Sequence, residues 1–314
     1  MNYEQISLSR ADDIVKLWNQ EIGTDFPMRK ELLIQNSFKD SNVLMEGSFL
    51  VINENGDLIG FVISKKYTEL NVVDFNRSVG WIQALLVKKS NRNKGIGTEL
   101  LKRAEAALSA RGAKKILLGK DVWHYFPGIP DQYGSVKRWF TDRGYQFNGM
   151  EYDLLTEKGL SSPQLSDVSI APIAEKDDAN QFLGFLHRIF PGRWEYEAIK
   201  YFEYGGSGKE FILLKKENKI IGFCRANGPD SPQIAQNVYW APLFEDGLGG
   251  IGPLGLDPEV RGNGYGLAIV QAGIAYLGQR GLKHVVIDWT RLIDFYEKVG
   301  AHPWKAYATY SKDL

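Results

Sequence analysis

The chain repeats one pattern of elements in its two halves. Residues 49–61 and 211–223 have the same length. Both consist of an apolar segment, a polar turn and a second apolar segment that ends in Ile-Gly-Phe. This pattern predicts a β-hairpin in each half. Unrelated segments rarely match in length, order and turn position together, so the repeat predicts two copies of one domain.

The match continues beyond the hairpins. About thirty residues later each half has an apolar strand, at 81–87 and at 251–256, then a glycine-bearing loop and a long amphipathic stretch. Apolar residues share one helical face in each stretch: Gly97, Leu101, Ala104 and Leu108 in the first, and Leu267, Val270, Ile274 and Leu277 in the second. Glycine then ends each helix, at Gly112 and Gly281, and a β-branched strand follows. Each half is predicted to be a mixed α/β domain.

Length and charge agree with two ordinary globular domains. The 314 residues exceed the size at which one hydrophobic core usually stops growing. The Ser-rich segment 158–167 separates the halves, so we predict an N-terminal domain at 1–157, a linker at 158–167 and a C-terminal domain at 168–314. Thirty-eight acidic residues balance thirty-eight basic ones, which argues against nucleic acid or a membrane surface as a partner. One cysteine and no long apolar run predict a cytoplasmic protein.

The loops at 92–97 and 261–266 both fit the pattern R-x-x-G-x-G. In such a loop the backbone N–H groups converge on an anion, and the following helix adds its positive end. A pyrophosphate suits this arrangement. Neither loop has the ending of a P-loop or the spacing of a dinucleotide-binding turn, and an ordinary turn is the alternative interpretation of either loop alone.

The strand, loop and helix together resemble the coenzyme A site of the GNAT superfamily of N-acetyltransferases. Residues 254–264 match that family's pattern closely, and the first copy lacks only its proline. The resemblance implies two tandem GNAT folds, each a mixed, mostly antiparallel sheet flanked by helices, and acetyl-coenzyme A as donor. It implies coenzyme A contacts from Leu254, Leu256, Arg261, Gly262, Asn263, Gly264, Tyr265 and Gly266, and from Leu85, Val87, Arg92, Asn93, Lys94, Gly95, Ile96 and Gly97.

Gly252-Pro253 lies inside the second apolar strand, where proline removes one donor from the strand ladder. This predicts an edge or a bulge, and the resemblance implies that a bulge there aims an N–H group at the thioester. The alternative is that the strand ends at the proline.

The resemblance also implies a catalytic acid. Phe295-Tyr296 through Gly300 is similar to the family's F-Y-x-K-x-G pattern, whose tyrosine protonates the departing thiolate. The first half has Phe140 at that position, so we predict that the C-terminal domain is the catalyst and that the N-terminal domain is non-catalytic or shapes the acceptor site. Core packing of Tyr296 is the alternative.

Asp288 is the candidate general base, because it ends the strand that borders the acceptor site in the resembled family. Its alternative role is to cap a helix over residues 289–291. Segment 121–133 of the first half is an aromatic insert that either lines an acceptor pocket or covers apolar surface between the domains. Cys224 is predicted to be a small buried apolar residue, and the four histidines lack metal-ligand spacing, so no metal is expected.

Two functions follow. The tandem organisation resembles mycothiol synthase and bacterial glucosamine N-acetyltransferases within the family, which implies acetyl transfer to a small primary amine such as an amino sugar. The alternative is a non-catalytic module that binds or senses acyl-coenzyme A.

Overall fold

The computed structural model describes residues 1–69 and 72–314. The chain divides into two compact units, each defined by the contacts among its own residues. Among the described residues, unit 1 contains 1–69, 75–151 and 306–314, and unit 2 contains 72–74 and 152–305. Both are mixed α/β units with a mostly antiparallel sheet and helices, which confirms the predicted fold class.

Unit 1 contains the first copy of the repeat. Its strands and helices are β1 (Asn2–Gln5), α1 (Ala11–Ile22), α2 (Lys30–Ser37), β2 (Phe49–Ile52), β3 (Leu58–Lys66), β4 (Val79–Val87), α3 (Ile96–Ala110), β5 (Lys115–Leu118), β6 (Ile129–Pro130), α4 (Gly134–Thr141) and the first part of β7 (Gln146–Thr156). Neighbouring strands follow the order β1-β2-β3-β4-β5, and only the β4–β5 pair is parallel.

Unit 2 contains the second copy. Its elements are the end of β7, β8 (Ser169–Pro172), α5 (Lys176–Ile189), α6 (Arg193–Glu203), β9 (Phe211–Lys216), β10 (Lys219–Asn227), β11 (Leu248–Leu256), α7 (Tyr265–Gln279), β12 (His284–Thr290), α8 (Ile293–Tyr296) and the start of β13 (His302–Asp313). The strand order is β7-β12-β11-β10-β9-β8, and only β11–β12 is parallel.

The units do not follow the linear division predicted at 158–167. Residues 311–313 of β13 pair with 115–117 of β5 in unit 1, and residues 152–156 of β7 pair with β12 in unit 2. Each copy of the repeat therefore receives its last strand from the end of the other copy. The partners are distant in sequence, so local patterning does not reveal the exchange.

Local chemistry explains the repeated elements. In the β9–β10 hairpin, Glu217 and Asn218 both have positive φ, as a two-residue type I′ turn requires. The predicted glycine stops are present, with φ of +82° at Gly112 and +83° at Gly281. Helices α3 and α7 each bury one face, and Leu108 and Leu277 are fully buried there. These two helices position the glycine-rich loops that precede them.

Candidate active site

The second glycine-rich loop is open on the side from which an anion would approach. It runs from the end of β11 through a short turn at Pro258–Val260 to the first residue of α7. Gly262 and Gly264 have φ of +86° and +79°, and a Cβ at either position would meet no atom within 4 Å. The first amides of a helix have no acceptor within the helix. The loop therefore exposes backbone donors at the positive end of α7.

Three side chains of this loop contact neighbouring groups of unit 2, although those of Arg261 and Asn263 stay exposed to solvent. Asn263 Nδ2 donates to the carbonyl of Val260 at 3.1 Å, and Arg261 Nη2 lies 3.5 Å from the carbonyl of Leu256. Tyr265 is 6% exposed, and its hydroxyl donates to Asp167. Any contact of Tyr265 with an anion must therefore come from its backbone.

The first loop has the same backbone and a different electrostatic environment. Gly95 has φ of +80° at the start of α3, and Asn93 also has positive φ. Arg92 Nη2 pairs with Glu21 Oε2 of α1 at 2.6 Å, while Glu21 Oε1 accepts the amide of Lys89 at 2.9 Å. A carboxylate thus holds the arginine of the first loop. Ile96 is buried like Tyr265, whereas Lys94 is exposed.

The strand before each loop carries the remaining residues predicted for coenzyme A. On β11, Leu254 and Leu256 pair with Cys224 and Gly222 of β10. The ladder between β11 and β12 runs from Leu248 to Ile251, so residues beyond Ile251 present an edge away from that ladder. The corresponding positions in the first half are Leu85 and Val87 on β4. The last glycine of each loop, Gly97 or Gly266, lies under an aromatic ring from the last helix of its own copy.

The predicted bulge is present in β11. The register with β10 shifts between Cys224 and Ala226, whose partners are Leu254 and Ile251, and the strand continues to Leu256. The alternative prediction that the strand ends at the proline is therefore wrong. Residues 252 and 253 lie between these pairs, where β10 has only Arg225, so β11 carries one extra residue at this point.

Asp288 lies beside this bulge. A Cβ built on Gly252 would be 2.9 Å from Asp288 Oδ1, and the same oxygen accepts a hydrogen bond from Asn237 Nδ2 at 3.1 Å. Strand β12 continues to Thr290, so the prediction that Asp288 caps a helix over 289–291 is wrong. The next residue, Trp289, has φ of +47°, and its amide donates to Asp153 Oδ1 at 3.1 Å.

The surroundings of Asp288 favour its protonated form. Enclosure by the protein, and then the neighbouring carboxylates of Asp153 and Glu197, raise the pKa of Asp288 to about 7. The hydrogen bond from Asn237 and the charge of Arg193 act in the opposite direction. A carboxyl group with this pKa exchanges a proton near neutral pH, which suits a general base.

Tyr296 lies at the end of α8 and is 7% exposed within the core of unit 2. Burial raises the pKa of its phenol well above the ordinary value, and electrostatic interactions with Cys224 and Asp288 raise it further. The phenol therefore keeps its proton at neutral pH. Cys224 itself is fully buried, as predicted.

The first unit lacks both groups. The registers of the two parallel strand pairs align Ile82–Leu118 with Ile251–Ile287, so the counterpart of Asp288 is Gly119. A Cβ at Gly119 would lie 2.0 Å from the carbonyl oxygen of Phe126, which leaves no room for a side chain. Phe140, the counterpart of Tyr296, is buried in the core of unit 1.

The aromatic insert at 121–133 packs within unit 1. Trp123 and Tyr125 are buried, and the hydroxyls of Tyr125 and Ser37 lie 2.6 Å apart. The ring of Phe126 stacks on Trp18 with centroids 5.7 Å apart. These contacts explain why Gly119 has no space for a side chain.

Sequence reasoning missed the polar residues around Asp288. Asn227, Asn237 and Glu197 lie on three separate segments, and all three are buried. The alignment of Leu118-Gly119 with Ile287-Asp288 was available in the sequence, whereas the Asn237 contact depends on the bulge.

Over residues 1–69 and 72–314, no group of three or more His, Cys, Asp or Glu side chains could hold a metal ion. Within the same residues, no helix is long and apolar enough to cross a membrane.

The sequence signature described as "Acetyltransferase (GNAT) family" matches residues 12–126 and 179–301. The chain belongs to this family, and both copies of the repeat contribute to the match.

Two named relatives of similar sequence support this assignment to the family. The mycothiol acetyltransferase of Saccharopolyspora erythraea is 29% identical over 273 residues, covering 82% of each chain. That of Thermobispora bispora is 28% identical over 250 residues, covering 73% of this chain and 75% of its own. The family and these relatives identify the chain as an N-acetyltransferase.

Solved structures share the fold. The glucosamine N-acetyltransferase region of a fungal multi-domain β-N-acetylglucosaminidase has a TM-score of 0.89 at 24% identity, covering 99% of this chain and 38% of that one. A GCN5-related N-acetyltransferase from Sphaerobacter thermophilus has a TM-score of 0.73 at 17% identity, covering 99% and 95%. A tandem GNAT protein of the clavulanic acid pathway has a TM-score of 0.71 at 11% identity, covering 99% and 98%.

Proposed function

We propose that the C-terminal copy transfers an acetyl group from acetyl-coenzyme A to the primary amine of a small molecule. The observation that carries this proposal is Asp288, a carboxyl group with a pKa of about 7 beside the bulge of β11. The bulge lies a few residues before the open glycine-rich loop, so a donor bound at the loop can extend its thioester along β11 toward Asp288.

The residues of the loop supply the donor site. The backbone amides of residues 261–266 receive the pyrophosphate, and the free edge of β11 at Leu254 and Leu256 lies beside the pantetheine arm. Glycines at 262 and 264 keep side chains away from the phosphates. The side chains of Arg261 and Asn263 stabilise the loop through the carbonyls that they contact.

The chemistry requires three proton transfers. Asp288 takes a proton from the acceptor ammonium, and the free amine attacks the thioester carbonyl to form the C–N bond. The C–S bond then breaks, and Tyr296 gives its phenolic proton to the departing thiolate. The nitrogen of the new amide loses its second proton, which restores the Tyr296 phenol through solvent, and Asp288 releases its proton to solvent. Asp288 contributes to the raised pKa of Tyr296, so the two groups interact through the site.

Unit 1 takes no part in this transfer. Gly119 and Phe140 replace the proposed base and acid, and the structure around Gly119 has no room for a carboxylate. The first loop retains its glycines, so we propose that unit 1 binds coenzyme A without turnover, with Glu21 competing for Arg92.

For the acceptor we propose an amino sugar or a similar small amine. The names of two relatives, a mycothiol acetyltransferase and a glucosamine N-acetyltransferase region, support this class. The buried polar groups around Asp288, including Asn227 and Glu197, suit an acceptor with hydroxyl groups.

The test is release of free thiol from acetyl-coenzyme A in the presence of an amine panel that includes glucosamine. We expect turnover with at least one small amine, and at pH 7 we expect Asp288→Asn to lose about 10²-fold or more in kcat. The matched control is Asp294→Asn, since Asp294 is an exposed carboxylate on the next helix. An Asp288→Asn enzyme with the rate of the control would refute the assignment of the base.

A further inference from the structure

Asn237 connects Asp288 to the bulge of β11. This residue lies on a short turn at Gln236–Val238 and is 3% exposed. Its Nδ2 donates to Asp288 Oδ1 at 3.1 Å and lies 3.4 Å from the carbonyl oxygen of Gly252. Both hydrogens of one amide group therefore point at the catalytic side of the site.

A second asparagine fixes the orientation of the first. Asn227 Nδ2 donates to Asn237 Oδ1 at 3.0 Å and to the carbonyl of Gly252 at 3.2 Å. Carbonyl and ionised carboxylate oxygens only accept hydrogen bonds, so Asn237 must turn its nitrogen toward Asp288 and Gly252. Asn227 is fully buried, which prevents water from replacing it in this network.

The glycines of β11 make room for this network. A Cβ at Gly250 would lie 2.2 Å from Asn237 Cγ, and a Cβ at Gly252 would lie 2.9 Å from Asp288 Oδ1. Real Cβ atoms do not come this close to other atoms, so a side chain at either position would displace Asn237 or Asp288. In the first unit the register places Trp81 at the position of Gly250 and Gln83 at the position of Gly252, so the same network cannot form there.

We propose that Asn237 is a positioning residue that holds the Asp288 carboxylate beside the β11 bulge in the orientation in which it accepts the proton of the acceptor amine. This inference rests on the proposed role of Asp288. No contact of Asn237 with donor or acceptor is required, because its effect passes through the carboxylate.

The other groups that act on Asp288 are charged or ionisable. They are Asp153 on β7, Glu197 and Arg193 on α6, Arg225 on β10 and Tyr296 on α8. Asn237 is the neutral donor among them, and its hydrogen bond lowers the pKa of Asp288 against the effect of burial. Removing that donor should raise the pKa, whereas neutralising Glu197 should lower it. The two changes therefore predict opposite shifts.

The experiment is the pH dependence of kcat/KM for the full chain with the best acceptor of the panel. For Asn237→Ser we expect the inflection assigned to Asp288 to move upward by about one to two pH units. For Glu197→Gln we expect a downward shift. The matched control, Gln279→Ser, removes an exposed amide at the end of α7 and should leave the profile unchanged. The KM for acetyl-coenzyme A should not change in Asn237→Ser.

A second variant tests the same contact without changing Asn237. Gly250→Ala places a methyl group 2.2 Å from Asn237 Cγ, which must displace the amide, and should reproduce the upward shift. In the double variant Asn237→Gly/Gly250→Ala, glycine at 237 removes all three atoms that the methyl group would meet, including the Cβ at 2.6 Å. The shift of this double variant should equal that of Asn237→Gly alone, so the two effects should not add.

A purely structural role for Asn237 gives a different result. If Asn237→Ser lowered kcat/KM by the same factor at every pH and left the inflection in place, the positioning role would be overturned. The Asp288→Asn variant separates failure of this inference from failure of the proposed function. Wild-type activity in that variant would show that Asp288 is not the general base, and the proposed role of Asn237 would then fail as well.

Discussion

Asp288→Asn should lower kcat by about 10²-fold or more and at the same time make the protein more stable than wild type at alkaline pH. The folded protein raises the pKa of this carboxyl group to about 7, compared with 3.8 for an unperturbed aspartate. Between these values the folded state holds a proton that the unfolded state has lost. Asp288 therefore contributes most to stability below pH 4, and this contribution falls as the pH rises through 7. Asparagine is neutral at every pH and shows no such loss.

The magnitude follows from the size of the pKa change. Each pH unit between about 4 and 7 costs about 1.4 kcal/mol, so the wild type should lose about 2–3 kcal/mol from this group between pH 5 and pH 8. The variant keeps the hydrogen bond from Asn237, because an amide oxygen can accept it. For a unit of this size, the difference corresponds to roughly 4–12 °C in Tm.

The assay is thermal unfolding of both proteins at pH 5 and pH 8, with Asp294→Asn as the control. Titrating groups that do not interact with Asp288 contribute equally to wild type and variant, so they cancel in the comparison. The Tm of Asp288→Asn relative to wild type should rise from pH 5 to pH 8, and that of the control should not. Parallel pH profiles for wild type and Asp288→Asn would show that Asp288 does not hold its proton near neutral pH.

Three further predictions concern the loop, the acid and the first unit. Gly264→Asp should weaken acetyl-coenzyme A binding at least about tenfold by calorimetry, because it places a carboxylate in an anion site; Gly281→Asp, with φ of +83° at the far end of α7, has the same backbone strain and should leave the Kd unchanged. Tyr296→Phe should slow single-turnover acetyl transfer by roughly 10² to 10⁴ while donor affinity stays constant, and an unchanged transfer step would exclude the acid role. Gly119→Ala should lower the stability of unit 1 by about 2–4 kcal/mol in denaturant unfolding, since its Cβ meets Phe126, whereas Gly112→Ala, with positive φ in open space, should cost only about 1 kcal/mol.

The sequence was sufficient to predict features that lie within one continuous segment. The two hairpins, the glycine-rich loops and the contrast between Tyr296 and Phe140 are each written in a few consecutive residues, and their repetition makes each copy a check on the other. The bulge at Gly252-Pro253 was also predictable, because proline cannot donate to a strand ladder.

Features that depend on distant pairing were not predictable. Asn237 and Asp288 are 51 residues apart and meet only because β11 bulges and has glycine at 250. Nothing in the local sequence around Asn237 distinguishes it from other polar loop residues. The assignment of residues 306–314 to unit 1 has the same cause, since the sequence of a strand does not specify which distant edge it pairs with.

Because unit 1 takes the end of β13 into its sheet, its folding during synthesis can be completed only after the C-terminal residues have been made. The first copy of the repeat is translated by residue 157, but the strand that completes its sheet is made about 150 residues later. At 5–20 residues per second the ribosome needs roughly 7–30 s to reach it. During that interval β5 has an unpaired edge, a place where another nascent chain could add a strand. A gene fragment that ends at the linker would encode a first copy whose β5 edge stays unpaired. We therefore expect the two copies to fold only when they are expressed as one chain.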